Sequence, residues 1–191
     1  MLRRNLLLAP LALGLSLALM SGCTTNKGAS ASPAEQKAEI EKGTDATLAT
    51  LYGSVKGSQE LAGKARAILV FPKVYAAGLG VGGEYGEGAL RVAGRTVDYY
   101  KTTAVSFGFQ AGAQSKALVL MFMTQNALDE FRKSKGWTAG ADASVALVKV
   151  GANGTIDTNS LDNAVNAFAL TNAGLMAAAT LNGSKISKIE F

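Results

Sequence analysis

The sequence predicts an α+β fold: a curved or barrel-like antiparallel sheet with an N-terminal amphipathic helix and one or two further helices. Three observations carry this. From Ala67 onward, apolar residues alternate with small or polar ones in runs joined by short turns. Before that point, apolar residues recur at spacings of three and four. Glycine is abundant at 22 of 191 residues while proline is scarce at 3, against an average glycine content of roughly 7%. A glycine-rich, proline-poor chain that is not of low complexity fits strands that pack closely or bend sharply.

Residues 1–22 read as an export signal rather than as part of the fold. Arg3 and Arg4 supply a positive start, and the apolar stretch from Leu6 to Met20 is too short to span a bilayer comfortably. Ser21-Gly22-Cys23 then ends on small residues and a cysteine. This resembles a bacterial lipobox, in which the cysteine is acylated and becomes the first residue, although Met20 stands where leucine is commoner. Cys23 is the only cysteine, so no disulfide forms within one chain. Ordinary signal cleavage leaving a free thiol is the alternative. Thr24, a residue other than Asp after the cysteine, favours sorting to the outer membrane, facing the periplasm. Residues 23–32 are then the lipidated cysteine and a tether, and 33–191 a single domain.

Removing Arg3 and Arg4 from the 19 cations leaves 17 against 14 acids, a net +3. That balance permits contact with anionic lipid but lacks the concentrated basic stripe of a nucleic-acid binder. The chain contains no histidine, which closes off Ser-His-Asp and Cys-His catalysis and removes the commonest zinc ligand. No enzyme, cofactor or metal is expected.

Taken in order, Ser32-Pro33-Ala34-Glu35 is a helix start: Ser as N-cap, Pro at the first position, Glu three after the cap. Ile40, Thr44, Thr47, Leu48 and Leu51 continue it to about residue 53, weakened by Gly43. A core-facing role outweighs a membrane-surface one, because its polar face carries as many acids as bases. Residues 58–66 form a second helix. Strands follow at 67–71, 76–84 and 87–92, then a turn at Ala93-Gly94, then strands at 95–101, 106–114 and 116–123. A helix is expected at 125–134, a strand at 144–150, a turn at 151–154, a hairpin of 166–171 with 175–182, and a closing strand at 185–191.

Positions 78–83 spell G-x-G-x-x-G, but Gly83, Gly86 and Gly88 lie where a dinucleotide-binding helix would have to open. A strand is the better reading, with Leu79 and Val81 on one face and bare glycines on the other. Ser106, Gly108, Gln110, Gly112 and Gln114 share one face of a later strand. That face is either open to solvent or lines a groove opposite the glycines.

From about Ser54 onward the chain resembles the SYLF domain family. The resemblance rests on the run from Lys64 to Pro72, the glycines of 78–88, and Ser106-x-Gly108-x-Gln110-x-Gly112-x-Gln114. Ser134-Lys135-Gly136-Trp137, the stretch from Gly140 to Ala146, and Gly174-Leu175-Met176 add to it. It implies phospholipid binding through an amphipathic N-terminal helix and basic residues, with no catalytic residues. Eukaryotic members also act on actin, which an exported bacterial protein does not meet. Within the sequence, Arg132, Lys133 and Lys135 beside Trp137 are the foremost candidates for lipid contact, since cations next to an aromatic ring suit a membrane interface. Lys185 and Lys188 are further candidates. Against this, Trp137 also suits a core position beneath a helix end. The expected partner is a phospholipid membrane, with an envelope protein as the alternative.

Overall fold

The computed structural model of the protein describes residues 31–148, 154–156, 163–171, 174–175, 181 and 183–191; at 79–80, 106–113 and 174–175 it describes the backbone. The expected signal segment, Cys23, most of the expected tether, and the expected structure at 149–153 and 176–180 lie outside the described residues.

Among the described residues there are three helices: α1 (Pro33–Ser54), α2 (Ser58–Lys64) and α3 (Gln125–Lys133). The expected start of α1 forms a full capping box, with Glu35 N donating to Ser32 Oγ at 3.3 Å and Ser32 N donating to the Glu35 carboxylate at 2.8 Å. α1 buries Ile40, Thr44, Thr47, Leu48 and Leu51 against the sheet. Gly43 has a packing reason to interrupt this helix: a Cβ there would stand 2.7 Å from the ring of Pro72. Thr124 caps α3, its hydroxyl accepting from Ala127 N at 3.3 Å.

The sheet is built on one long hairpin. Strands β1 (Ala67–Val92) and β2 (Arg95–Phe122) pair antiparallel along nearly their whole length, turning at Ala93-Gly94. The breaks expected near residues 72–75 and 102–105 are absent. Pro72 falls in the register shift between Phe71 and Val74, where a missing N–H removes no ladder bond. β1 curls so tightly that it meets itself. A Cβ on Gly88 would stand 2.2 Å from the carbonyl oxygen of Val70, and one on Gly86 2.7 Å from that of Lys73. These glycines permit the bend that gives the sheet its half-barrel form.

The remaining strands are short: β3 (Trp137–Thr138), β4 (Val145–Leu147), β5 (Val165–Thr171), β6 (Gly174–Leu175) and β7 (Lys185–Lys188). The second edge of β2 is shared, with β7 pairing at Tyr100–Thr103 and β5 at Ala117–Phe122. β6 pairs with the end of β5, Thr171 opposite Gly174, while residues 172–173 of the expected turn lie outside the described residues. One departure from the antiparallel expectation is β4, which runs parallel to β5. The connection from Val148 to Ala164 is long enough to return the chain to the same end of the sheet, as a parallel pair requires.

The two faces of the sheet have separate cores. On one, Leu69, Phe71, Leu90, Leu120 and Phe122 pack with α3 and β7. On the other, Val70, Val119, Met121 and Phe168 lie under Leu48 and Leu51 of α1 and Leu61 of α2. β5 sits between β2 and β4 and is buried on both faces.

Candidate functional site

The fold brings the two sequence-distant groups of predicted residues together. α3 ends in Arg132 and Lys133, the chain turns through Lys135, and β3 then pairs with β7, Trp137 opposite Ile186 and Thr138 opposite Lys185. Lys133, Lys135, Lys185 and Lys188 are exposed. Arg132 and Lys188 are not free cations, because both turn onto Asp98, at 3.6 and 2.5 Å.

Trp137 stands apart from the rest. It is 2% exposed and faces the core, so it is not part of the lipid-facing candidate surface. Its ring meets Phe131 edge-on at 5.5 Å, and Phe131 lies 4.8 Å from both Tyr100 and Phe122. The cause is the β3–β7 pairing, which places Trp137 beside the buried Ile186 beneath α3. Burial also pushes the Tyr100 phenol up to about 12, with the Asp98 charge adding to it.

A second group was not singled out in the sequence. On the side of the hairpin facing away from α3, Tyr75, Val81, Tyr85 and Val105 are 56, 62, 46 and 67% exposed. Register extends this surface toward the predicted cations. Tyr85 pairs with Thr103, Thr103 with Lys185, and Lys185 with Thr138, so these four residues form one row across the sheet. In the next row, exposed Lys101 lies between Glu87 and Ser187. Period-two alternation of Tyr and Val was the available signal, but it marks a face without showing that the face is left bare.

The same register bears on the alternative in which the Ser/Gln face lines a groove opposite the glycines. Gly78, Gly80 and Gly82 pair directly with Gly112, Gly108 and Ser106. They are neighbours on one face of one hairpin, not opposite walls. The G-x-G-x-x-G run lies wholly within β1, with no helix opening at it.

A groove of about 500 Å³ does exist, between α1 and β1. Ile40, Gly43 and Ala46 line it from the helix, and Pro72, Tyr75 and Gly86 from the strand. α1 is fastened beside it by charge. Arg91 reaches Glu41 at 2.8 Å and Asp45 at 2.6 Å, and the Tyr99 hydroxyl donates to Glu41 at 2.9 Å. Burial alone would raise the Glu41 carboxyl. The nearby Thr96 hydroxyl, hydrogen bonds from Arg91 and Tyr99, and the Arg91 charge outweigh it and hold Glu41 below its ordinary value. At the rim, the Tyr85 hydroxyl donates to Glu87 at 2.6 Å, which with some burial pushes the phenol up to about 12.

Residues 103–190 match the family model described as Ysc84, Las17-binding protein actin regulator. The match agrees with the SYLF resemblance carried by the sequence motifs. The SYLF match starts at Thr103, in the row that joins Tyr85 to Lys185, and runs through α3, β3, β5 and β7. It therefore takes in Val105 and every predicted cation, while Tyr75, Val81 and Tyr85 on β1 precede it. No curated protein matches the chain.

Proposed function

We propose that the protein is a lipid-anchored envelope protein whose SYLF domain binds phospholipid without turning it over. The observation that carries this reading is the outward face of the hairpin, where exposed Tyr75, Val81, Tyr85 and Val105 share a surface with Lys101 and Lys185. Exposed apolar residues grouped this way mark interaction surfaces. Aromatic and basic residues side by side suit the headgroup layer, and each cation near an anionic surface contributes about 1 kcal/mol. The anchor would be an acyl group on Cys23, the chain's only cysteine, placed after small residues and an apolar stretch. Acyl chains of that kind give stable attachment when two or more act together. The actin activity in the family's description is not carried over, since an exported chain meets no actin.

Ala31–Phe191 forms one compact unit containing both cores, so residues 24–191 suffice for the test. This protein, made without acyl chains, is expected to float far more strongly with anionic vesicles than with zwitterionic ones. Replacing Lys101 and Lys185 together by Gln should weaken binding by about tenfold or more. Replacing Arg132, Lys133 and Lys135 should weaken it less, because they lie at the end of α3 and Arg132 already pairs with Asp98. Failure to float with any lipid would overturn the reading.

One observation favours a second reading, recognition of an envelope protein with lipid as anchor only. Among the described residues, β1 pairs with no strand other than β2, leaving a long edge open beside Tyr75, Val81 and Tyr85. An extended peptide can add to such an edge. Absence of flotation, with a partner cross-linked to β1, would favour it.

A further inference from the structure

We propose that the groove between α1 and β1 holds one acyl chain of a zwitterionic phospholipid, its phosphate met by Lys42 and Lys73. The shape is the first argument. The groove of about 500 Å³ adjoins a second cavity of about 230 Å³, and the two share Ala46, Pro72 and Lys73 in their walls. Together they make an elongated trough, suited to a chain rather than to a compact ring. The larger groove is mainly apolar, with Ile40 and Ala46 from α1 facing Pro72 and Tyr75 from β1, and the smaller cavity adds Ala117 and Leu170 among polar residues. Binding sites for small ligands combine such walls with a few placed polar groups.

Charge at the rim is the second argument. Lys42 and Lys73 both line the groove, are exposed, and make no ion pair among the described residues. They are available to a phosphate. Exposed Glu39 stands on the same rim, while Glu87 is occupied by the Tyr85 hydroxyl. Two cations with one free carboxylate complement a phosphate with an amine beside it better than a bare anion. Tyr75 and Tyr85 belong both to the groove wall and to the exposed face of the hairpin, so a chain could pass from a membrane against that face into the trough. The proposal rests on the phospholipid reading for its class of ligand, but its residues are separate from the cations of α3 and β7.

The test uses residues 24–191 in solution without vesicles, titrated calorimetrically with palmitoyl lysophosphatidylethanolamine below its micelle concentration. Saturable binding at one site is expected. Ala46→Trp, a change at an exposed helix position that fills the shared wall, should weaken it by about tenfold or more with the circular dichroism unchanged. Lys42→Gln with Lys73→Gln should weaken the lysophospholipid but leave palmitoyl monoacylglycerol binding unchanged. The Arg132, Lys133 and Lys135 variant should bind as the parent does. No saturable binding, or binding indifferent to Ala46→Trp, overturns the groove proposal even if vesicle flotation persists. Groove binding with no flotation would overturn the surface reading and leave the groove standing.

Discussion

The outward side of the β1–β2 hairpin is covered at one end and bare at the other. Near the base, Val119 and Met121 of β2 and Val70 of β1 lie under α1 and α2 and are fully buried. Further along the same side of β2, Val105 is 67% exposed, with Val81 and Tyr85 beside it on β1. The side chains at the two ends are alike in kind. What differs is the neighbour: β5, α1 and α2 complete the base, whereas residues 104–116 of β2 have no second strand beside them among the described residues. An apolar face becomes core only where another element closes over it. Where none does, it is a surface with something to bind.

Three changes would break or sharpen this contrast. The largest is at the aromatic cluster. Trp137→Ala should cost about 3–5 kcal/mol in urea unfolding, the usual cost of emptying a buried aromatic site. Val81→Ser at the bare end should stay within about 0.5 kcal/mol. Similar costs at both positions would mean that the bend is packed after all.

A smaller effect compares two glycines of one strand. Gly88→Ala should cost about 1–3 kcal/mol, since the new methyl would sit against the Val70 carbonyl where β1 crosses itself. At Gly83 the nearest atom to such a methyl is 3.9 Å away, so Gly83→Ala should be close to neutral. Equal costs would contradict the tight crossing.

The smallest concerns the charges that hold α1. Glu41 is held below its ordinary value of 4.5 when folded. Its contribution to stability is therefore present above that value and lost as pH falls through the lowered folded one. Because Glu41 is partly exposed, the contribution is expected to be no more than about 1 kcal/mol. Unfolding between pH 3 and 6 should lose part of its pH dependence in Glu41→Gln, and an unchanged profile would count against the clamp.

Much of the scaffold was legible in the sequence. Ser32-Pro33-x-Glu35 located the start of α1 because a capping box needs only local residues, and Ala93-Gly94 located the hairpin turn in the same way. Gly43 was read only as a helix weakness, since its reason is the ring of Pro72, distant in sequence. The strand breaks drawn around Pro72 were mistaken because a proline at a register shift leaves the ladder intact. The candidate site was half legible. Lys185 and the cations after α3 could be found as charged residues, but their meeting depends on β3 pairing with β7. Trp137 read as core somewhat more readily than as interface, and that pairing decides for the core. Tyr75, Val81, Tyr85 and Val105 went unnoticed because the alternation that marks a covered face also marks a bare one.

The most direct test places a reporter on the bare end. Val81→Trp introduces an exposed indole, while native Trp137 stays buried and serves as a constant background. On addition of anionic vesicles to residues 24–191, the new emission should shift to shorter wavelength and be quenched by brominated lipid chains. Flotation with no change in that emission would contradict the account, because the domain would then be meeting lipid by some other surface.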